Sequence, residues 1–135
     1  MTQTLIAFTG FVAWSLFLLV LMEVVRAKLV VDKTVAATAF KPDNSNLSPF
    51  MQRLARAHAN CVEGLPIFGG IMLVAVVAGR STITDSLAYV FLIARIVQSI
   101  VHLSSSSALA VNLRFLAFSV QMVIGLYWVF RLILG

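Results

Sequence analysis

Long apolar runs separated by three short polar stretches dominate the chain. No charged residue occurs in the stretches 5–22, 64–79 or 115–130. The first of these runs forms about 27 Å of helix at about 1.5 Å per residue, which approaches the ~30 Å thickness of a hydrocarbon core. We therefore predict that these segments are helices that cross a membrane.

Turn-forming residues mark the ends of the predicted helices. The segment KPDNSNLSP at 41–49 separates the first two helices, and RSTITD at 80–85 and SSSS at 104–107 separate the others. We predict helices at about 4–29, 49–79, 85–103 and 109–134, with Thr84 or Asp85 as the N-cap of the third. Pro66 lacks an N–H, so we also predict a kink just past Glu63. The fold class is all-α, an integral membrane four-helix bundle in a single domain of residues 1–135.

The composition supports a membrane protein and excludes several soluble classes. Of the residues, 61% are hydrophobic and 11% are charged, and the mean hydropathy is +1.01. Soluble domains have about 45–50% apolar and about 25% charged residues. A Rossmann domain, a secreted disulfide scaffold and a nucleic-acid-binding module are therefore excluded. The single cysteine, Cys61, forms no internal disulfide, and no His/Cys cluster has ligand spacing, so we expect no bound metal.

The distribution of lysine and arginine predicts the orientation. The 26–56 region contains Arg26, Lys28, Lys33, Lys41, Arg53 and Arg56, whereas the 80–85 connection contains only Arg80. Positively charged loops stay on the cytoplasmic side. We therefore expect a multi-pass protein of a bacterial inner membrane, with the 30–55 loop in the cytoplasm and both termini outside.

Polar side chains within the helices lie in stripes near this basic loop. A charge at the centre of a membrane helix costs ~2.5–3.5 kcal/mol, so such residues are candidates for function. Helical spacing places on one face of the second helix Arg53, Arg56, Asn60 and Glu63. The third helix carries Arg95, Gln98 and His102 on one face, and Arg114 lies near the start of the fourth. We expect Arg95 to pair with Glu63.

These polar groups have two readings. In the first, they form buried polar pairs that only hold the bundle together. However, four arginines stand against one glutamate in these stripes, and uncompensated buried cations are costly. An anionic ligand or lipid headgroups would balance them, and we expect membrane lipids among the partners.

The segment Arg56–Phe68, RAHANCVEGLPIF, resembles the helix-two signature of the MAPEG family, the membrane-associated proteins in eicosanoid and glutathione metabolism. That pattern has an arginine, an asparagine four residues on, a glutamate three further, and then proline, a hydrophobic residue and phenylalanine. Length, four helices, the polar first loop and an arginine in each of helices three and four extend the resemblance over the whole chain. It implies a homotrimer that binds glutathione between neighbouring subunits near the cytoplasmic face.

The resemblance also implies roles for individual residues. Arg56, Asn60 and Glu63 look like glutathione-binding residues, with Arg95 and Gln98 as contributors from the third helix. Arg114 looks like the arginine that stabilises the thiolate in catalytic members, and Arg26 would bind a glutathione carboxylate. Arg53 and His102 complete the expected site because they share its stripes. Catalytic eicosanoid members carry tyrosines on the third helix where this chain has Gln98 and His102.

Glutathione suits these residue types chemically. Arginines pair with its carboxylates, and Glu63 suits its ammonium group. A guanidinium beside the thiol lowers the thiol pKa from its free value of ~8.5 and supplies thiolate. The leading hypothesis is a glutathione transferase or peroxidase acting on a hydrophobic electrophile. A non-catalytic protein that holds glutathione or lipid is the alternative. A small multidrug transporter is less favoured, because the only carboxylate of the first helix, Glu23, lies at its end beside Arg26.

Overall fold

The computed structural model describes residues 1–135 and contains four long helices and no strand. They are α1 (Gln3–Val31), α2 (Pro49–Val77), α3 (Thr82–Ser104) and α4 (Ala108–Leu134). Each end lies within three residues of its predicted position. All four helices are long and apolar enough to cross a membrane. The prediction of an all-α, multi-pass membrane protein is confirmed.

Serine and threonine side chains cap the N-termini of three helices. Thr2 accepts a hydrogen bond from the Leu5 N–H, and Ser48 and Ser107 cap α2 and α4 in the same way. Such caps satisfy N–H groups that have no partner within the helix. The sequence motif therefore explains where α1, α2 and α4 begin.

The predicted N-cap of α3 is wrong. The helix begins at Thr82, after Ser81, so Thr84 and Asp85 lie inside its first turn. Asp85 Oδ1 instead accepts from the backbone N–H of Thr4 at 2.9 Å and from the Thr4 hydroxyl at 2.6 Å. A carboxylate is favourable near either helix N-terminus, and here Asp85 ties the start of α1 to the start of α3.

An aromatic cluster holds the four helices together. The Phe91 ring of α3 lies 5.8 Å from Phe11 in α1, 4.9 Å from Phe68 in α2 and 5.7 Å from Trp128 in α4, measured between ring centroids. All four side chains are buried. Each such pair contributes about 0.5–1.5 kcal/mol beyond the burial of its area. Phe91 thus makes α3 the helix on which the other three converge.

Pro66 changes the local geometry of α2. The helix is α-helical over Pro49–Gly64, passes through a π-helical turn at Leu65–Gly69, and is α-helical again over Gly70–Val77. Proline cannot donate to the carbonyl one turn earlier, and a wider turn is one way to accommodate the missing bond. The irregularity lies just past Glu63, where the kink was predicted, and it includes Ile67 and Phe68, which line the cavity described below.

Candidate functional site

A chain of amide groups joins α2, α3 and α4 at the depth of the predicted site. Asn60 Oδ1 accepts hydrogen bonds from the Arg95 guanidinium and from Gln98 Nε2, the latter at 3.1 Å. Gln98 Oε1 in turn accepts from Gln121 Nε2 at 2.8 Å, and that amide also donates to the Ala117 carbonyl at 3.1 Å. The structure therefore brings together three predicted residues and one that the sequence analysis did not include.

Arg95 lies in the interior of the helix bundle and is fully buried. Its guanidinium carbon is 5.1 Å from the centroid of the Phe11 ring and 6.0 Å from that of Phe118. A β-carbon at Gly64 would lie 2.7 Å from Arg95 Nη2. Aromatic faces stabilise a desolvated cation by about 2 kcal/mol. Arg95 Nε and Nη2 nevertheless form no hydrogen bond.

The expected pairing of Arg95 with Glu63 is wrong. Arg95 donates to Asn60, one helical turn before Glu63, and the Glu63 side chain is exposed on the outer surface of α2. The only ion pair in the chain joins Arg26 and Glu23. Asn60 faces α3, whereas Glu63 lines the surface between α2 and α4. Because the two side chains point in different directions, Arg95 binds Asn60 and not Glu63.

Three charged residues of the predicted site have polar groups without a partner in the chain. Arg56 and Glu63 are exposed and form neither a hydrogen bond nor an ion pair. Arg114 is half-buried, and its Nε is buried without a partner. A buried donor left unpaired costs about 1–3 kcal/mol. These groups are available to a ligand.

A cationic cluster surrounds His102 at the end of α3. Arg114, Arg56 and Arg53 lie around the buried His102 imidazole. Arg53 Nε donates to the Leu103 carbonyl at 2.9 Å, which satisfies one of the last carbonyls of α3. Arg53 therefore has a structural contact in addition to its charge. No group of three or more metal-ligating side chains is present.

Arg26 is placed away from the amide chain, in contact with the loop that follows α1. Its guanidinium donates to Asn44 Oδ1, to the Lys41 carbonyl and to Glu23, and it lies 5.5 Å from the centroid of the Phe40 ring. Asn44 is fully buried and donates to the Met51 carbonyl at 2.7 Å. No hydrogen bond joins Arg26 to the other predicted site residues. In this structure Arg26 therefore holds the loop in place.

Asn44 and Gln121 were not among the predicted site residues. Asn44 adopts a positive φ of 55°, a conformation that asparagine tolerates in turns, and its position in a polar loop concealed its burial. Gln121 is an amide inside the otherwise apolar run 115–130. An isolated amide in such a run was a usable signal, because a polar group at that depth needs a hydrogen-bond partner.

A cavity of about 480 Å³ opens between α2 and α4. Asn60 and Glu63 form its polar end, and Phe118 and Gly125 belong to its largely apolar remainder. The full lining is Asn60, Glu63, Gly64, Ile67, Phe68, Ile71, Phe118, Met122, Gly125, Leu126 and Val129. A β-carbon at Gly125 would lie 2.9 Å from the Phe68 ring. The cavity thus joins a polar end to a largely apolar space.

Comparison with known families decides how this arrangement is classified. The pattern of the MAPEG family matches residues 4–134, nearly the whole chain. The chain belongs to the MAPEG family. It is therefore a membrane protein of the family that acts in eicosanoid and glutathione metabolism, and the resemblance inferred from the segment Arg56–Phe68 is confirmed. Neither the curated proteins nor the solved structures contain a match to the chain.

Proposed function

We propose that this MAPEG protein binds glutathione at the polar end of the α2–α4 cavity and activates its thiol towards hydrophobic electrophiles. The observation that carries the proposal is a set of polar groups with no partner within the chain, one of which, Glu63, lines that end of the cavity. Arg56 and Glu63 have no partner within the subunit, and Arg114 Nε is buried without one. A ligand that carries both carboxylates and an ammonium group complements this set.

Each part of glutathione has a matching group. Its two carboxylates suit guanidinium groups, which bind carboxylates in a bidentate manner, and its ammonium group suits the Glu63 carboxylate. The cationic cluster of Arg53, Arg56 and Arg114 favours a ligand with a net negative charge. In our proposal Gln98 and His102 contribute to the glutathione site from α3, where both side chains are buried.

Arg114 is the residue we propose for thiolate stabilisation. The competing candidate, Arg95, is fully buried and already donates to Asn60. Arg114 is half-buried, carries an unpaired Nε, and forms no ion pair. A free guanidinium beside a thiol lowers the thiol pKa and supplies nucleophilic thiolate near neutral pH.

The apolar part of the cavity is the proposed route for the electrophile. The cavity runs from Asn60 and Glu63 towards Leu126 and Val129, on the side of the subunit that exposes apolar side chains. A lipophilic substrate partitions into the bilayer and reaches the thiolate without crossing water. We further propose a homotrimer in which a neighbouring subunit covers this open side, with Arg26 of that neighbour as the source of a further carboxylate contact.

Calorimetric titration of the detergent-solubilised protein with glutathione tests the proposal. Binding is expected, and thiolate absorbance near 240 nm should appear on saturation. Arg56→Ala and Glu63→Ala should each weaken binding, since a hydrogen bond to a charged group contributes about 1.5–3 kcal/mol. The exposed Arg131, at the opposite end of α4, supplies a control, and Arg131→Ala should leave the affinity unchanged. If glutathione does not bind the unmutated protein, the proposal is wrong.

A non-catalytic glutathione-binding protein is the second candidate. The observation that favours it is that Gln98 and His102 occupy positions where catalytic eicosanoid members carry tyrosines. Glutathione binding without a thiolate signal would select this candidate. The transporter hypothesis has less support, because Glu23 forms an ion pair with Arg26 at 3.0 Å and is not a free carboxylate.

A further inference from the structure

The hydrogen bonds from Gln121 to Asn60 all run in one direction. Gln121 donates to Gln98, and Gln98 donates to Asn60, through the Nε2 groups of both glutamines. An arginine has only donors, so Arg95 can bind Asn60 only through the amide oxygen. The Asn60 oxygen is therefore held by two donors from α3, Arg95 and Gln98.

This arrangement determines what Asn60 offers to a ligand. The Asn60 amino group forms no hydrogen bond within the chain, whereas the oxygen of the same amide accepts two. Asn60 also lines the polar end of the α2–α4 cavity. The available group is consequently a pair of N–H donors, located one helical turn from the Glu63 carboxylate. A ligand must present an acceptor to Asn60 and a donor to Glu63.

We infer that Gln98 and Gln121 are positioning residues that orient the Asn60 amide so that its amino group donates to a carboxylate or carbonyl oxygen of the bound ligand. This inference rests on the proposed glutathione site. Gln121 is fully buried, yet its Oε1 has no hydrogen-bond partner. An unsatisfied buried oxygen is destabilising, so the packing of the bundle alone does not account for a glutamine at this position.

Removing Gln121 should act on the ligand only through Asn60. In Gln121→Met the Gln98 oxygen loses its donor, and the Gln98 amide is free to turn its oxygen towards Asn60. The Asn60 oxygen then keeps Arg95 as its only donor, and the orientation of the amide is less tightly fixed. Glutathione binding should weaken about tenfold, the loss expected for one hydrogen bond to a charged group. Gln98→Met should have the same effect, because it removes the donor to Asn60 directly.

A double-mutant cycle measured by glutathione titration tests this coupling. In the Asn60→Ala background, Gln121→Met should change the dissociation constant less than about twofold, because contacting residues in one network are not additive. Thr84→Val is the matched control, since Thr84 is also a fully buried polar residue but bonds to Thr4 in another part of the bundle. Its effect should be independent of Asn60. Equal losses from Gln121→Met in both backgrounds would overturn the inference.

A measurement without ligand separates this inference from the proposed function. The side-chain amide resonances of Asn60, identified by their loss in Asn60→Ala, should shift in Gln121→Met and stay in place in Thr84→Val. Unshifted resonances in Gln121→Met and Gln98→Met would overturn the orienting role. If the resonances shift but the unmutated protein does not bind glutathione, the proposed function fails while the orienting role stands.

Discussion

Gly64→Ala tests whether the space occupied by Arg95 is as tight as the structure indicates. The added β-carbon would lie 2.7 Å from Arg95 Nη2 and 3.5 Å from both Arg95 Cζ and Phe68 Cδ2. Non-bonded carbon atoms favour separations of about 3.5–4.0 Å, so the guanidinium has to retreat by about 0.8 Å. The Phe11 and Phe118 rings stand next to it and oppose that movement.

Two opposing effects determine how Gly64→Ala changes the free energy of unfolding. Overpacking a filled site costs about 1–3 kcal/mol, and replacing glycine by alanine within a helix returns about 1 kcal/mol. The free energy of unfolding should therefore fall by about 0–2 kcal/mol. Glutathione affinity should also fall, because the displaced guanidinium no longer holds Asn60.

Gly70→Ala is the matched control on the same helix. A β-carbon at Gly70 meets no atom within 4 Å, so only the helix-propensity term applies and stability should rise by up to about 1 kcal/mol. Reversible unfolding in mixed detergent micelles measures both variants. If both are stabilised by the same amount, Arg95 has room to move and the reasoning is refuted.

Two further predictions concern catalysis and topology. Arg114→Ala should leave glutathione binding nearly intact but raise the pKa of the bound thiol, by one unit for each ~1.4 kcal/mol of lost thiolate stabilisation. Conjugation of a hydrophobic aryl halide at pH 7 should then fall at least about tenfold and recover partly at higher pH, where the thiol ionises without help; wild-type rates would contradict this. Alkaline phosphatase fused after Gly135 should be active in a bacterial host, because the basic 26–56 region predicts both termini outside; activity of a cytoplasm-only reporter at that position would reverse the topology.

The amino-acid sequence determined the helices and the family of this protein. Three uncharged runs and the turn-forming segments between the helices predicted all eight helix ends to within three residues, because a helix satisfies the backbone polar groups of an apolar segment in lipid. The segment from Arg56 to Phe68 was sufficient to recognise the MAPEG pattern, which matches residues 4–134. Helical spacing also indicated correctly that Arg95 and Gln98 share a face, since both reach Asn60.

Only the tertiary structure decided which polar group meets which. Charge alone favoured Glu63 as the partner of Arg95, but the direction of each side chain from α2 brings Asn60 to α3 and leaves Glu63 at the cavity. Arg26 binds the buried Asn44 because the loop after α1 folds back on the helix. The role of Gln121 depends on a residue 23 positions earlier. Spacing along a helix defines a face, whereas the identity of the neighbouring atoms depends on how separate helices pack, and no local pattern encodes that.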